Sequence, residues 1–221
     1  MPDGSTQIRK DLSYYSHGRF TYTQSGTSPN FTETLAAGTE LRLFGYAKGD
    51  DMVAAGRSGT QAMECDTNLQ NKGETLDGET VLITAIKLQA TGQSDPLAVK
   101  NLFRDLSVKV SLNGGDRAML LGNGEMIPGG NGFVFSTGIS PSSGAAVPGV
   151  SNGWPDDANA KMIKSGILWL PKGKTDSSLV VLVNVNRANS YTVAFASAVA
   201  AVVDLRCELV CFSVANRSPN L

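Results

Sequence analysis

The stretch TNLQNKGETLDGETVLITAIKLQ, from Thr67 to Gln89, decides the fold. Its polar lead-in is rich in turn-forming residues and ends at a mainly apolar run from Val81 to Leu88. A short apolar run bounded by Gly, Asp and Asn is typical of a strand buried on both faces, although periodicity alone also allows a helix. Other segments have similar length and punctuation. We therefore predict that this run is a central strand of a β-sandwich.

Length and composition indicate the class of protein. The chain has 221 residues, of which 41% are hydrophobic, and it contains 24 glycines and 9 prolines. These values predict one folded domain with many turns. The 19 basic and 20 acidic residues nearly cancel. Such a balance gives no general attraction to nucleic acid or to an anionic membrane, and no specific nucleic-acid site is visible.

Targeting signals are not visible in the sequence. The first residues, MPDGSTQIRKDL, have no apolar core of the kind that a secretory signal needs. The longest apolar run, from Val193 to Val203, has about half the length of a bilayer span. We therefore expect a protein that is neither exported by a visible signal nor integral to a membrane.

The three cysteines are Cys65, Cys207 and Cys211. An odd number without a CxxC motif argues against a disulfide framework or a structural zinc site. On a strand, Cys207 and Cys211 share one face but lie about 13 Å apart, too far to bridge each other. The pattern predicts free, buried thiols in a reducing compartment.

Three regions follow from the composition along the chain. Residues 1–38 form an N-terminal arm or a peripheral strand, 39–214 form a single domain, and 215–221 form a polar tail. Tyr14, Tyr15 and Phe20 are the aromatic anchors of the first region. They pack either on the chain itself or, as an arm would, on a neighbouring subunit.

The domain shows strand periodicity from end to end. Residues 39–46 alternate with Leu41 and Leu43 on one face. A short helix begins near Ser94. The strand that follows has Val108, Val110 and Leu112 inside and Ser107, Lys109 and Ser111 outside, and it leads to a hairpin turn. Residues 165–170 and 179–186 are predicted to form a second hairpin, and 204–214 the final strand.

The least regular part is 122–160, with only a brief strand at 133–135. A connection this long is often functional or interface-forming. In total the pattern predicts an all-β protein: a jelly-roll β-sandwich of about eight strands with one short helix and long loops.

No motif supports catalysis. His17 is the only histidine, so a multi-histidine metal site is excluded, and we expect His17 to be a surface residue. The segment Gly173-Lys174-Thr175 lacks the first glycine of a phosphate-binding loop and joins two strands. The carboxylate pairs Asp50-Asp51 and Asp156-Asp157 lack calcium-ligand spacing. We predict no catalytic residue, no cofactor and no metal site.

Trp154 lies in a polar loop, NGWPDD, and Trp169 alternates within a strand. An aromatic side chain on a loop packs locally, contacts another subunit or stacks on a ligand. We take Trp154, with Tyr14, Tyr15 and Phe20, as the candidate subunit-contact residues. We expect Trp169 to lie in the core.

The stretch from Thr67 to Gln89 also resembles a segment of the jelly-roll capsid proteins of tailless icosahedral bacteriophages. The later order of elements is similar too: a short helix, a paired strand, a long loop, the GILWLPKG segment and a long final strand. The resemblance covers roughly residues 39–214 and is closer to the single-jelly-roll branch. The matching positions are Thr67, Asn68, Leu69, Gly73, Leu76, Val81, Leu82, Ile83 and Ile86.

The resemblance implies a viral structural protein, a major capsid subunit that self-assembles into capsomers of an icosahedral virion, often over an internal membrane. Its partners would be copies of itself in trimers or hexamers, with a second capsid protein, a penton protein and the underlying membrane as further candidates. It would be made in the host cytoplasm and be located in the virion.

Two other functions fit an all-β domain. The first alternative is a carbohydrate-binding, lectin-like module, which would use Trp154 and loop carboxylates. The second is a hydrolase that uses Asp50, Asp51, Asp156 or Asp157.

Overall fold

The computed structural model describes residues 11–27, 30–76, 79–91, 102–113, 119–123, 134–139, 146–150, 160–174, 177–194 and 200–214. Within these ranges the protein is all-β, and its paired strands are antiparallel. Helical structure there consists of one turn at 102–105, a 3₁₀ turn at Val53–Ala55 and a 3₁₀ position at Leu76.

The strands follow one another along the chain with short connections in the first third and longer ones later. In chain order they are β1 (Asp11–Thr21), β2 (Thr23–Thr27), β3 (Asn30–Leu35), β4 (Glu40–Leu43), β5 (Asp51–Met52), β6 (Arg57–Gln61), β7 (Thr80–Thr91), β8 (Leu106–Leu112), β9 (Met119–Asn123), β10 (Val134–Ile139), β11 (Ala146–Val150), β12 (Lys161–Trp169), β13 (Leu179–Val185), β14 (Asn189–Ala194) and β15 (Val202–Val214).

Two four-stranded sheets form the body of the protein. The first has the strand order β1-β15-β7-β12, and the second has the order β4-β13-β8-β9. Buried apolar side chains from both sheets belong to one continuous core cluster. The two sheets therefore pack face to face as a β-sandwich. Smaller sheets are formed by β14-β3-β2, β5-β6 and β10-β11.

The predicted central strand is β7, which lies between β15 and β12. Val81, Ile83, Ile86 and Leu88 are buried in the core. The inward positions change from odd to even numbers because a register shift against β15 adds one residue near Ala85. The prediction of a central strand is confirmed, but burial on both faces holds only from Ala85 to Gln89, because Leu82 and Thr84 are partly exposed.

The final strand, β15, pairs with β1 on one side and with β7 on the other. Leu205, Cys207, Leu209 and Cys211 alternate into the core, as the sequence predicted. The intervening residues are partly exposed and form the outer face of the first sheet.

The second sheet also follows the predicted pattern, with one exception. Leu41 and Leu43 of β4 and Val108 and Val110 of β8 are buried. The expectation that the serines of β8 face solvent is wrong, because Ser107 and Ser111 are buried as well. β8 pairs with β13 on one edge and with β9 on the other, and the Ser107 hydroxyl donates to the Asn186 side chain at 3.0 Å.

The predicted hairpin between residues 165 and 186 is wrong. β12 pairs with β7 in the first sheet, whereas β13 pairs with β4 and β8 in the second. The turn between them therefore crosses from one sheet to the other. Trp169 ends β12 in the core, as expected, and its indole N–H points to the carbonyl oxygens of Gly73 at 3.0 Å and Ser177 at 3.1 Å.

The stretch predicted as irregular contains regular structure. Within 122–160, β10 and β11 pair as a two-stranded antiparallel sheet, with Val134 opposite Val150. The predicted start of the helix near Ser94 lies outside the described residues, and its described end at 102–105 buries Leu102 and Phe103.

Candidate subunit-contact surface

The first strand places the predicted contact residues on two opposite faces. Tyr14 and Phe20 point inward and are 0% and 1% exposed, whereas Tyr15 points outward and is partly exposed. Trp154 lies outside the described residues. The structure therefore gives Tyr14 and Phe20 a role in the protein's own core, and of the three described candidates Tyr15 presents its side chain on the outer face.

Tyr14 is held in the core by a ring and a hydrogen bond. Its ring centroid lies 4.9 Å from that of Trp169, and its hydroxyl accepts a hydrogen bond from the Leu76 amide at 3.0 Å. A buried phenol needs such a partner, because an unsatisfied hydroxyl would cost the free energy of its desolvation.

Tyr15 is enclosed by polar groups on the outer face. The Arg206 guanidinium lies 4.8 Å above its ring, in cation–π geometry, and the His17 ring lies 6.3 Å away. Its hydroxyl donates to the Glu64 carbonyl oxygen. Tyr15 is thus packed between β15 and a later segment of the chain.

That later segment, residues 44–70, covers the free edge of β1, and we call it the clasp. Its residue Thr67 makes an antiparallel bridge to Ser16, and the His17 amide donates to the Asp66 carbonyl oxygen at 2.9 Å. The Asn68 side chain accepts from the Tyr15 amide at 3.1 Å and donates to the Ser13 carbonyl oxygen at 2.8 Å. These bonds satisfy backbone groups that an open edge strand would leave unpaired.

A small apolar core of its own holds the clasp in shape. It consists of Tyr46, Met52, Ala55 and Ala62. The Tyr46 hydroxyl reaches β1, where it lies 2.5 Å from the His17 carbonyl oxygen and 2.9 Å from the His17 amide. Burial raises the pKa of Tyr46 to about 12, so the phenol stays neutral and can both donate and accept.

Cross-strand ion pairs complete the polar half of the outer face. Arg19 binds Asp204 in a two-pronged contact, with nitrogen–oxygen distances of 2.6 and 2.9 Å. Asp204 raises the pKa of Arg19 through its hydrogen bond, so this pair stays charged. Ser13 donates to Glu208 at 2.6 Å. In the clasp, Arg57 and Asp66 pair at 2.7 Å.

His17 lies in the middle of these charges. Burial lowers the pKa of the His17 imidazole, and the positive charges of Arg206 and Arg57 lower it further, against the opposing effect of Asp66 and Asp204. His17 is thus only partly exposed, and its Nε2 atom is buried, which differs from the expectation of a fully solvated surface histidine.

The other half of the outer face is apolar. Register aligns Leu168, Leu82 and Phe212 in one row across β12, β7 and β15, and Met162 lies on the same face of β12. Met162 is 62% exposed and Leu168 is 47% exposed, which is high for large apolar side chains. Sequence periodicity did not identify this row, because exposed apolar residues within an apolar strand resemble core residues.

The remaining sequence candidates have structural roles or lie elsewhere. Asp50 accepts a hydrogen bond from the Ala47 amide at 2.8 Å and thereby closes a turn of the clasp. Lys172 precedes the segment Gly173-Lys174-Thr175, for which no phosphate-binding role was predicted. Its side chain is exposed and pairs with Glu74 at 3.2 Å. Asp156 and Asp157 lie outside the described residues.

The described ranges show neither a metal cluster nor a membrane-spanning helix. No group of three or more His, Cys, Asp or Glu side chains there could hold a metal ion. The same ranges contain no helix with the length and hydropathy of a membrane span. All three cysteines are free, with Cys65 exposed and Cys207 and Cys211 buried.

The chain was compared with known proteins in three ways. No protein-family model matches it, and no curated protein and no solved structure matches it either.

Proposed function

We propose that the protein is a jelly-roll capsid subunit that assembles with copies of itself into a viral shell. The strand order of the two large sheets supports this proposal. If their eight strands are numbered from first to eighth along the chain, the sheets have the orders 1-8-3-6 and 2-7-4-5.

In this order the first strand pairs with the eighth, the second with the seventh, the third with the sixth and the fourth with the fifth. Such nested pairs arise when one long antiparallel ribbon is wrapped around a sandwich, which is the topology of a jelly roll. Jelly rolls are used in viral capsid proteins and in lectins. The order of elements that resembles phage capsid proteins is thus supported by an independent feature, the pairing of the strands.

Surface features add to the case for a structural subunit. The clasp covers one edge of the first sheet, and Met162 and Leu168 expose apolar area on its outer face. Large apolar side chains exposed on one face of a sheet are a feature of surfaces that contact other proteins. In this proposal the partners are further copies in trimers or hexamers, with a second capsid protein, a penton protein and a membrane beneath the shell as additional neighbours in the virion.

The test is to measure the mass of the purified protein by light scattering over a concentration series and to image the same samples by negative-stain microscopy. Trimers, hexamers or closed particles of uniform diameter would support the proposal. A monomer at every concentration, without particles, would contradict it. Uniform particles also distinguish assembly from aggregation, which gives irregular images.

The lectin-like alternative is tested on the same preparation. Binding on a glycan array that is lost in Trp154→Ala and kept in Trp169→Phe would favour it. Trp169 is the suitable control because its side chain is buried in the core and cannot reach a sugar.

A further inference from the structure

The position of His17 links the edge strand to the clasp. Its backbone amide and carbonyl are bonded to Asp66 and Tyr46, and its side chain lies on the face that Arg206 and Arg57 also approach. His17 is therefore part of the contact between β1 and the clasp.

The charged groups around His17 come from two elements. Arg206 and Asp204 face it from β15, and Arg57 and Asp66 face it from the clasp. Both carboxylates already have a guanidinium partner, Asp204 in Arg19 and Asp66 in Arg57. Each carboxylate is therefore already engaged with an arginine, and its attraction for a positive charge on His17 opposes the effects of burial and of the two arginines without cancelling them.

The imidazole nitrogen Nε2 of His17 is buried and has no hydrogen-bond partner within the described part of the chain. The same is true of Nε of Arg206, which lies directly opposite His17 in the register of β1 and β15. A proton on Nε2 would place a positive charge on a buried atom that has no acceptor there, opposite Arg206, whose ion pair with Glu208 is long at 3.8 Å. Both features are costly in a poorly hydrated place.

We propose that His17 is an acid-operated release for the clasp: protonation of its imidazole detaches residues 44–70 from the edge of β1. When the clasp is closed, the site favours the neutral imidazole. When the clasp is open, water reaches Nε2 and the imidazole binds a proton with its ordinary affinity. Acid therefore shifts the population toward the open clasp, by linkage. The inference concerns the single chain and does not depend on shell assembly.

The test measures, in the full chain, both the protonation of His17 and the opening of the clasp. Because His17 is the only histidine, a single imidazole signal in the NMR spectrum reports its titration. Hydrogen exchange of clasp amides, corrected for the intrinsic effect of pH, reports opening, and amides of β13 serve as the internal reference. Between about pH 8 and about pH 5 we expect corrected exchange in the clasp to rise by about threefold or more, with β13 unchanged.

Two variants separate the switch from general acid sensitivity. In His17→Gln, which stays neutral, corrected exchange in the clasp should not depend on pH. In Arg206→Gln, the imidazole midpoint should move to higher pH because a repelling charge is removed. Arg187→Gln is the matched control, since Arg187 is exposed in the turn before β14 and is not among the charges that act on His17.

Three outcomes would overturn the inference: wild-type clasp exchange that does not change with pH, the same pH dependence in His17→Gln, or an imidazole midpoint that is unchanged in Arg206→Gln. If His17→Gln fails to fold, the NMR midpoints of the wild type and Arg206→Gln still decide the matter.

Discussion

The rings of Tyr14 and Trp169 meet in the core at a centroid distance of 4.9 Å, although their strands are the two opposite edges of the first sheet. β15 and β7 lie between these strands. The contact therefore spans the inner face of the sheet and joins its two edges beneath the interior strands.

Tyr14→Ala should be far more destabilising than Tyr15→Ala. Removal of the buried Tyr14 ring leaves a cavity beside Trp169 and costs about 3–5 kcal/mol, the range for large aromatic truncations. Tyr15→Ala loses a partly exposed ring and a cation–π contact, at about 1 kcal/mol. Urea unfolding of the two variants measures the difference, and equal losses would contradict the opposite orientations of these neighbours.

Gly56→Ala should weaken the clasp much more than Gly49→Ala. Both glycines have positive φ, 79° and 88°, so each substitution costs about 1–2 kcal/mol of backbone strain. A Cβ at Gly56 would also lie 2.0 Å from the Arg19 carbonyl oxygen, whereas a Cβ at Gly49 meets nothing within 4 Å. Gly56→Ala should therefore cost at least about 1 kcal/mol more in urea unfolding. A smaller loss for Gly56→Ala than for Gly49→Ala would exclude the close approach.

Only Cys65 should react with a thiol reagent in the native protein. Burial raises the pKa of Cys211 to about 12 and raises that of Cys207 further, so neither forms a thiolate near neutral pH. Mass spectrometry after maleimide treatment should find one label per native chain and three after unfolding in urea. Labelling of Cys207 without unfolding would show that β15 opens locally, and Cys65→Ser, which should remain unlabelled, is the control.

Stability should fall in mild acid because of His17. Its pKa is lowered in the folded state, first by burial and then by Arg206, so the unfolded chain binds more protons between the folded pKa and about 6.5. The free energy of unfolding is therefore unaffected above that window and decreases as the pH falls through it. Urea midpoints at about pH 8 and about pH 5 should differ more in the wild type than in His17→Gln. An equal difference would assign the acid effect to carboxylates.

Sequence periodicity predicted two kinds of strand: those with one buried and one exposed face, and those that are buried on both faces. β7 and β15 are examples, since their inward positions carry Val, Ile, Leu and Cys, in strict alternation in β15 and with one register shift in β7. Periodicity carries no information about which sheet a strand joins. The segments 165–170 and 179–186 therefore suggested a hairpin, although their turn crosses between the two sheets.

The surface was harder to predict, for a physical reason. Tyr14 and Tyr15 are identical in type and adjacent, and their roles depend on which face of β1 meets the core. The clasp left no local pattern in the sequence, because its bonds to β1 through Tyr46 and Asn68 join residues 29 and 53 positions apart. Asp66 and Arg206 were not predicted as neighbours of His17 for the same reason.

During synthesis, β1 meets its two neighbours, the clasp and β15, at different times. Ser13 and Glu208 are hydrogen-bonded but lie 195 residues apart, so β1 waits for its sheet partner for about 10 to 40 s during synthesis. The clasp is complete much sooner, because its contacts to β1 span only 53 residues at Tyr15 and Asn68. During translation the clasp can therefore cover one edge of the nascent first strand. This cover protects the strand from aggregation until the last strand leaves the ribosome.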